Sequence, residues 1–343
     1  MRILHVMGGN EEGGLEKHVI ELVNTLAEYP DDQVMLAAHA KYQPRVSAQV
    51  TFIPVDLSRS RRSPLALWAL WRSVRQHKPD VIHAQGGKAM AMIATLASRL
   101  HRPLVATVHG QKKKQPGLAA FSAIIAVSAG LARQINHPSV HVIYNGIAPP
   151  LEHDKQQIAD LRQSLQPVSG QRLWLAVGRL VHVKGFDILL EAMTKVPTGH
   201  LLIAGEGPEA DRLKALCRDL KLQQRVSFLG NRSDVSALMS ACDAVVISSR
   251  REGFSYVFCE AAMQATPVIS TDVPIPNEML PSSLICPTDN PDALALLMNT
   301  FNPDDPGHGD SHRAAREKLT IAAMAGATRD LYNGITPTDR RAS

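Results

Sequence analysis

Thirteen short apolar runs, separated by stretches of helical period, constrain this chain more than any other feature. In the first half they read RILHVM (2–7), QVMLAAH (33–39), VTFIPV (50–55), DVIHAQ (80–85), PLVATVH (103–109), AIIAVS (123–128) and VHVIYN (140–145). In the second half they read RLWLAVG (172–178), HLLIAG (200–205), RVSFLG (225–230), AVVISS (244–249), TPVIST (266–271) and SLICP (283–287). Runs apolar on both faces, alternating with amphipathic helices, predict parallel sheets covered on both sides. Two consecutive sets predict an α/β chain of two doubly wound domains, which suits a length of 343 residues. The stretch 146–170, with Pro149, Pro150, Pro167 and Gly170, reads as a linker. Residues 303–312 (PDDPGHGDSH) read as a polar loop, 313–333 as a helix, and the tail after Gly334 as disordered. The expected domains are 1–150 and 168–303, with the helix at 313–333 beyond them.

Ligands of such folds sit at the carboxyl ends of the strands, so residues just past those ends are the candidates. The first strand runs into GGNEEGGLEKH (8–18), with a helix expected to open near Leu15. Glycines before a helix let backbone N–H groups approach a phosphate, and the helix dipole favours its charge. The spacing is not G-x-G-x-x-G, which disfavours a dinucleotide site; a plain glycine-rich turn is the competing reading. The eighth run ends in GRLVHVKG (178–185), which sets Arg179 and Lys184 in a loop where two cations can neutralise a diphosphate. GEGPE (205–209) and FLGNR (228–232) close the next two strands. SSRREGFSYVFCEAAMQATPVIST (248–271) spaces Glu252 and Glu260 eight apart, the first in a loop and the second inside a helix opening near Tyr256. Carboxylates there can accept hydrogen bonds from sugar hydroxyls, and the N–H groups around Gly253, Phe254 and Ser255 can donate to hydroxyls or phosphates. Dipole compensation is the simpler account of two glutamates at a helix start.

Charge sharpens the choice. Residues 1–151 hold 17 Lys/Arg against 9 Asp/Glu, whereas residues 152–343 hold 20 against 23. Between Leu57 and Leu151 the only acid is Asp80, against 13 Lys/Arg. A one-signed half attracts anions such as phosphates, acidic glycans or anionic lipid. Nucleic acid is disfavoured, because five Tyr, seven Phe and three Trp come with no recognition motif. Cys217, Cys242, Cys259 and Cys286 form no C-x-x-C pair, so reduced thiols and no metal site are expected. No apolar run reaches the roughly 20 residues a membrane span needs, and the N-terminus reads as a strand rather than a signal peptide. A cytosolic protein is expected.

GGLEKH, DVIHAQG, TVHG, VSAGL, VIYNGI, VGRLVHVKG, GEGP, VSFLG and EGFSYVFCEAAMQATPVI follow one another over about 270 residues. In that order they resemble the family-four retaining glycosyltransferases of GT-B architecture. The resemblance implies two Rossmann-like domains facing across a cleft, an N-terminal acceptor domain and a C-terminal donor domain, with the final helix returning to the first. It implies that Arg179 and Lys184 bind the diphosphate of a nucleotide-sugar donor, and that Glu260 bonds the ribose. Glu252, with Gly253, Phe254 and Ser255, would hold the transferred sugar. Gly13 and Gly14 would lie near the diphosphate, and His109 near the reacting carbon. Gly178, Gly205, Glu206, Leu229, Gly230 and Asn231 would line the donor site, and Asn145–Gly146 resemble the family's hinge. No protein nucleophile, cofactor or metal is implied. Two departures from the family pattern, Ala265 for the usual glycine and TDVPIPNEML for a glycine-rich turn, bear on donor preference.

The acceptor is expected to be a phosphorylated or lipid-linked glycan of the cell envelope, the lipopolysaccharide core first, with Lys112, Lys113 and Lys114 holding its phosphates. Residues 59–78 hold Arg59, Arg61, Arg62, Arg72, Arg75 and Lys78 and no acid, with Leu67, Trp68, Trp71 and Val74 on one helical stripe. That stripe packs on the sheet or lies at an anionic membrane surface. The rival readings are a nucleotide-sugar epimerase and a non-catalytic nucleotide-sugar-binding protein.

Overall fold

The computed structural model describes residues 1–11, 13–58, 60–110, 117–149, 152–165 and 170–336. Lys112, Lys113, Lys114, Arg59 and the tail 337–343 lie outside them. The chain divides into two compact units, Met1–Gly146 with Lys318–Ser343, and Ile147–Glu317.

The first unit is built on seven parallel strands, β1 (Arg2–Met7), β2 (Gln33–Ala38), β3 (Thr51–Pro54), β4 (Val81–Gln85), β5 (Leu104–Val108), β6 (Ala123–Ala126) and β7 (Val140–Val142), in the order β3-β2-β1-β4-β5-β6-β7. The second holds six, β8 (Leu173–Val177), β9 (His200–Ala204), β10 (Val226–Gly230), β11 (Ala244–Ile247), β12 (Val268–Thr271) and β13 (Ile285–Cys286), in the order β10-β9-β8-β11-β12-β13. Each anticipated run is a strand, and each sheet has the switch of strand order that marks a doubly wound fold. Strands such as Val81–Gln85, Leu104–Val108 and His200–Ala204 are buried along their whole length, as sheets covered on both faces require.

Three expectations for the connecting segments need correction. The linker 146–170 contains a helix, Lys155–Leu165. Asp154 Oδ1 caps it, accepting from Gln156 N (2.9 Å) and Gln157 N (3.1 Å), and Arg162 grips both carboxylate oxygens of Asp243 at 2.9 Å. The loop 303–312 is largely helical, Pro306–Lys318. Asp305 Oδ1 accepts from Gly307 N (2.8 Å), while Ser311 Oγ donates to Met279 O (2.9 Å) and His308 is buried, so docking outweighs the poor propensity of two glycines. The helix 313–333 is the end of that helix plus a second one, Ile321–Ile335, opened by Thr320, whose Oγ1 accepts from Ala323 N at 3.1 Å.

The helix Ile321–Ile335 belongs to the first unit. Met324, Ala325, Leu331 and Tyr332 join Val19, Ile20 and Val23 of the helix Gly14–Leu26 in one core with Ile3, Met7, Val81 and Val105 of the sheet. Gly146 meets this helix so closely that a Cβ there would lie 2.4 Å from Ile321 Cα, which is why only glycine fits.

The Trp-bearing stripe is only partly buried. In the helix Pro64–His77 the buried residues are Ala66, Leu70, Ser73 and Val74. Trp68 is 54% and Leu65 65% exposed. Arg72 lies over the Trp68 ring (5.4 Å) and Arg75 over Trp71 (5.1 Å). Among the described residues no helix is long and apolar enough to cross a membrane.

Candidate functional site

In the second unit the anticipated donor residues gather at the carboxyl ends of β8, β9, β10 and β11. Gly178, Gly205 and Gly230 stand side by side there: Gly178 N donates to Ala204 O (3.0 Å) and Gly205 N to Gly230 O (2.7 Å). Gly205 has φ +145, and a Cβ on it would lie 1.9 Å from Gly178 O, so the strand ends approach as only glycine allows. Asn231 N donates to Glu206 Oε1 (3.4 Å), which brings those two together beside Leu229, half-buried at the end of β10. The rim they form is backbone-rich and open, which suits a flat ligand.

Lys184 closes a single turn, His182–Lys184, and is followed by Gly185 in the left-handed region at φ 64. A Cβ at Gly185 would lie 2.1 Å from Ser248 O, so this glycine seats the lysine turn against the end of β11. Ser248 Oγ donates to Lys184 O (3.0 Å) and Arg250 N to Val183 O (2.8 Å). The loop so held brings Glu252 to the lysine. Lys184 Nζ donates to Glu252 Oε1 at 2.6 Å, and Ser249 Oγ donates to the same oxygen at 2.7 Å. Arg179 is exposed in the loop before them.

Two groups that support this loop went unnoticed in the sequence. Arg250 bonds both carboxylate oxygens of Asp187 (2.8 and 3.1 Å), His182 O (2.8 Å) and Asp289 Oδ1 (2.5 Å). Burial alone would raise the Asp187 carboxyl, but the hydrogen bonds from Arg250 hold it below its usual range. A single arginine thereby ties the Glu252 loop to the first turn of the helix Phe186–Met193. Only the adjacency of Arg250 to the glutamate loop hinted at this.

Gly253 is half-buried, Phe254 and Ser255 are buried, and the helix Tyr256–Met263 opens where expected. Phe254 packs edge-on against Tyr256 (5.1 Å between centroids). Glu260 lies in the middle of that helix, half-buried, eight positions on from Glu252.

In the first unit, Gly13 and Gly14 are exposed at the start of the helix Gly14–Leu26, one residue before the expected opening. Gly13 is extended (φ 174), so no left-handed backbone demands glycine there; of the four glycines in that turn, Gly9 alone has a φ that side chains rarely adopt, at 109. His109 sits one residue beyond β5. Its Nε2 lies 3.1 Å from Gln85 Oε1, and its ring packs edge-on against His18 (4.7 Å). Burial pushes the His109 imidazole down to about 4, so the ring is neutral at pH 7. Gln85 and His18, which touch it, and His83, His5 and Tyr332, which lie beyond Gln85, were not singled out in the sequence. The signal was a pair of polar residues, His83 and Gln85, two apart inside an otherwise apolar run.

Comparisons with known proteins bear on both units. Residues 12–149 match the family model Glycosyltransferase Family 4, and residues 157–318 match Glycosyl transferases group 1. The chain is 26% identical over 277 residues to the lipopolysaccharide core biosynthesis glycosyltransferase LpsE of Rhizobium meliloti, covering 79% of each chain. It is 31% identical over 227 residues to the uncharacterized glycosyltransferase MJ1607 of Methanocaldococcus jannaschii, covering 57% of this chain and 58% of that one. Its fold matches the crystal structure of Anabaena Alr3699/HepE in complex with UDP, with a TM-score of 0.82 and 22% identity over 98% of this chain and 100% of that one. Two parallel Rossmann-like sheets, the order of the motifs along them and both family matches agree: the chain belongs to the glycosyltransferases of GT-B fold, with a family 4 domain in its first half and a group 1 domain in its second.

Proposed function

We propose that this protein is a retaining glycosyltransferase that moves a hexose from a UDP-sugar onto a cell-envelope glycan, the lipopolysaccharide core first among acceptors. The observation that carries the reading is the Lys184–Glu252 pair, a cation and a sugar-binding carboxylate held 2.6 Å apart by a loop that Arg250 and Ser249 brace. Arg179 and Lys184 neutralise the donor diphosphate as the bond from the anomeric carbon to its phosphate oxygen breaks. The acceptor oxygen bonds the same carbon from the same face, and its proton passes to the departing phosphate. The reaction uses no protein nucleophile, which separates it from hydrolysis by paired carboxylates. It uses no metal and no cofactor. Glu252 and the N–H groups of Gly253, Phe254 and Ser255 hold the sugar hydroxyls, Glu260 the ribose, and Glu206 with Asn231 the base. The same reading gives His109 a role in the transfer step.

The choice of donor and acceptor rests on likeness to proteins whose names carry UDP and lipopolysaccharide core biosynthesis. Lys112–Lys114 bind acceptor phosphates. Leu65 and Trp68, outward among Arg61, Arg62, Arg72 and Arg75, rest on anionic lipid at the inner face of the cytoplasmic membrane, where such an acceptor is anchored.

A thermal-shift panel of UDP-, GDP- and ADP-sugars tests the reading. A ligand that binds the native state alone raises the melting temperature by mass action. A rise with UDP-sugars, absent in Lys184→Ala, is the expected result. No rise with any donor at millimolar concentration contradicts it.

A further inference from the structure

A polar stripe runs through the apolar face of the first sheet. His5 of β1 is the register partner of His83 of β4, and Gln85 that of Thr107 of β5. Partners, and every second residue along a strand, share a face. His5, His83, Gln85 and Thr107 therefore point the same way as Ile3, Met7, Val81 and Val105, into the core under the helices Gly14–Leu26 and Ile321–Ile335. His109 continues the stripe past the end of β5. Polar groups in such a core are costly unless each is hydrogen-bonded, and here they bond one another.

With the Gln85 amide placed Nε2 toward His5 and Oε1 toward His109, the donors and acceptors of this network assign its protons. The Gln85 amide nitrogen can only donate, and it lies 3.3 Å from His5 Nδ1, so the His5 proton sits on Nε2, toward the Tyr332 hydroxyl at 3.4 Å. Tyr332 has one proton to give, and His83 Nδ1 at 2.5 Å accepts it. The His83 proton is then on Nε2, which donates to Thr107 Oγ1 at 2.6 Å. At the other end Gln85 Oε1 can only accept, so His109 carries its proton on the Nε2 that lies 3.1 Å away.

We propose that Gln85 is a positioning residue for His109: its amide fixes the ring in the Nε2–H tautomer, leaves Nδ1 as the acceptor, and is itself oriented by the His5–Tyr332–His83 circuit. The orientation of a residue at the carboxyl edge of the sheet thus depends on a tyrosine of the C-terminal helix. The inference rests on the glycosyltransferase reading for what the ring acts upon, but not for the tautomer. The titratable groups around His109 are His18 of the helix Gly14–Leu26, His5 of β1, His83 of β4 and Tyr332. Burial pushes His5 down to about 3 and holds His83 and His18 well below the usual histidine value, reinforced by the neighbouring rings, while the Asn145 side chain opposes the shift at His18. Burial, with a smaller push from Asp32, raises Tyr332. With every ring neutral at pH 7, the tautomer is the variable that remains to be set.

The test is the 15N spectrum of the full chain labelled on histidine, with His109 assigned by its loss in His109→Asn. The expected wild-type pattern is Nε2–H, unchanged between pH 5 and pH 8. In Gln85→Met the amide is gone without a charge, so His109 becomes a mixture of tautomers. In Gln85→Glu the carboxylate stabilises the imidazolium, so His109 titrates within that range and kcat gains an acid limb, falling about tenfold from pH 8 to pH 6 at nearly constant donor KM. A wild-type Nδ1–H pattern, or a pure Nε2–H pattern persisting in Gln85→Met, overturns the proposal. If neither variant folds, the wild-type tautomer decides alone. An inactive wild type that nonetheless shows the tautomer change in Gln85→Met supports the positioning and counts only against the transfer reaction.

Discussion

Removing the ammonium of Lys184 probes the donor site from two sides. In the free protein Lys184 Nζ and Glu252 Oε1 are 2.6 Å apart, with side chains 23% and 10% exposed. Exposed ion pairs contribute about 0–1 kcal/mol, and stranding one charge of a fully buried pair costs about 3–5 kcal/mol. This pair is mostly but not wholly shielded, and Ser249 Oγ still reaches the carboxylate at 2.7 Å when the lysine is gone. Lys184→Ala should therefore destabilise the second unit by about 1–3 kcal/mol, between those limits. For a unit of this size that lowers the melting temperature by about 2–12 °C. The double variant Lys184→Ala/Glu252→Gln removes the stranded charge, so part of that loss returns. Turnover behaves differently. A cation aimed at the charge developing on a leaving group is worth about 10²–10³ in kcat, and neither the single nor the double variant recovers it. Calorimetry of the two variants and the wild type, with initial rates on a UDP-sugar, separates the effects. A kcat for Lys184→Ala within threefold of wild type would refute the leaving-group role, and a double variant less stable than the single one would refute the stranded-charge argument.

Gly205→Ala would set a Cβ 1.9 Å from Gly178 O at φ +145, and should cost more than about 3 kcal/mol in urea denaturation; a loss below 1 kcal/mol contradicts the close approach. Acid should unfold the first unit early. His5 at about 3 and His109 at about 4 titrate below the unfolded value of 6.5, so the unfolded chain binds more protons once the pH falls under 6.5. Their contribution is complete above pH 6.5 and is lost as the pH falls toward 4 and then 3, each histidine adding a slope of about 1.4 kcal/mol per pH unit; a flat stability between pH 6.5 and pH 4.5 contradicts the neutral cluster. Replacing Lys112, Lys113 and Lys114 together by alanine should raise acceptor KM with little change in donor affinity, and an unchanged acceptor KM removes them from the acceptor site. Leu65→Ser with Trp68→Ser should weaken sedimentation with anionic vesicles, and equal binding by the variant excludes that helix face as the membrane contact.

The sequence by itself determined what depends on local pattern. A buried parallel strand must be apolar on both faces, so all thirteen strands could be read from period and turn residues alone. The loop position of Glu252, the helical position of Glu260 and the helix opening at Tyr256 followed from the same cues. Two helices were missed although their caps, Asp154 and the Asp305–Pro306 step, were legible, because proline and glycine nearby read as loop. What only the tertiary structure decided are the encounters between residues distant in the chain. Arg250 meets Asp187 across 63 positions and His83 meets Tyr332 across 249, and no periodicity encodes either pairing. Trp68 and Val74 share a helical stripe in the sequence, yet one is exposed and the other buried, because the stripe is wider than the surface available to cover it. Strand register and helix docking are set by the burial of whole faces, and they alone brought three histidines, a glutamine, a threonine and a tyrosine into one hydrogen-bonded circuit.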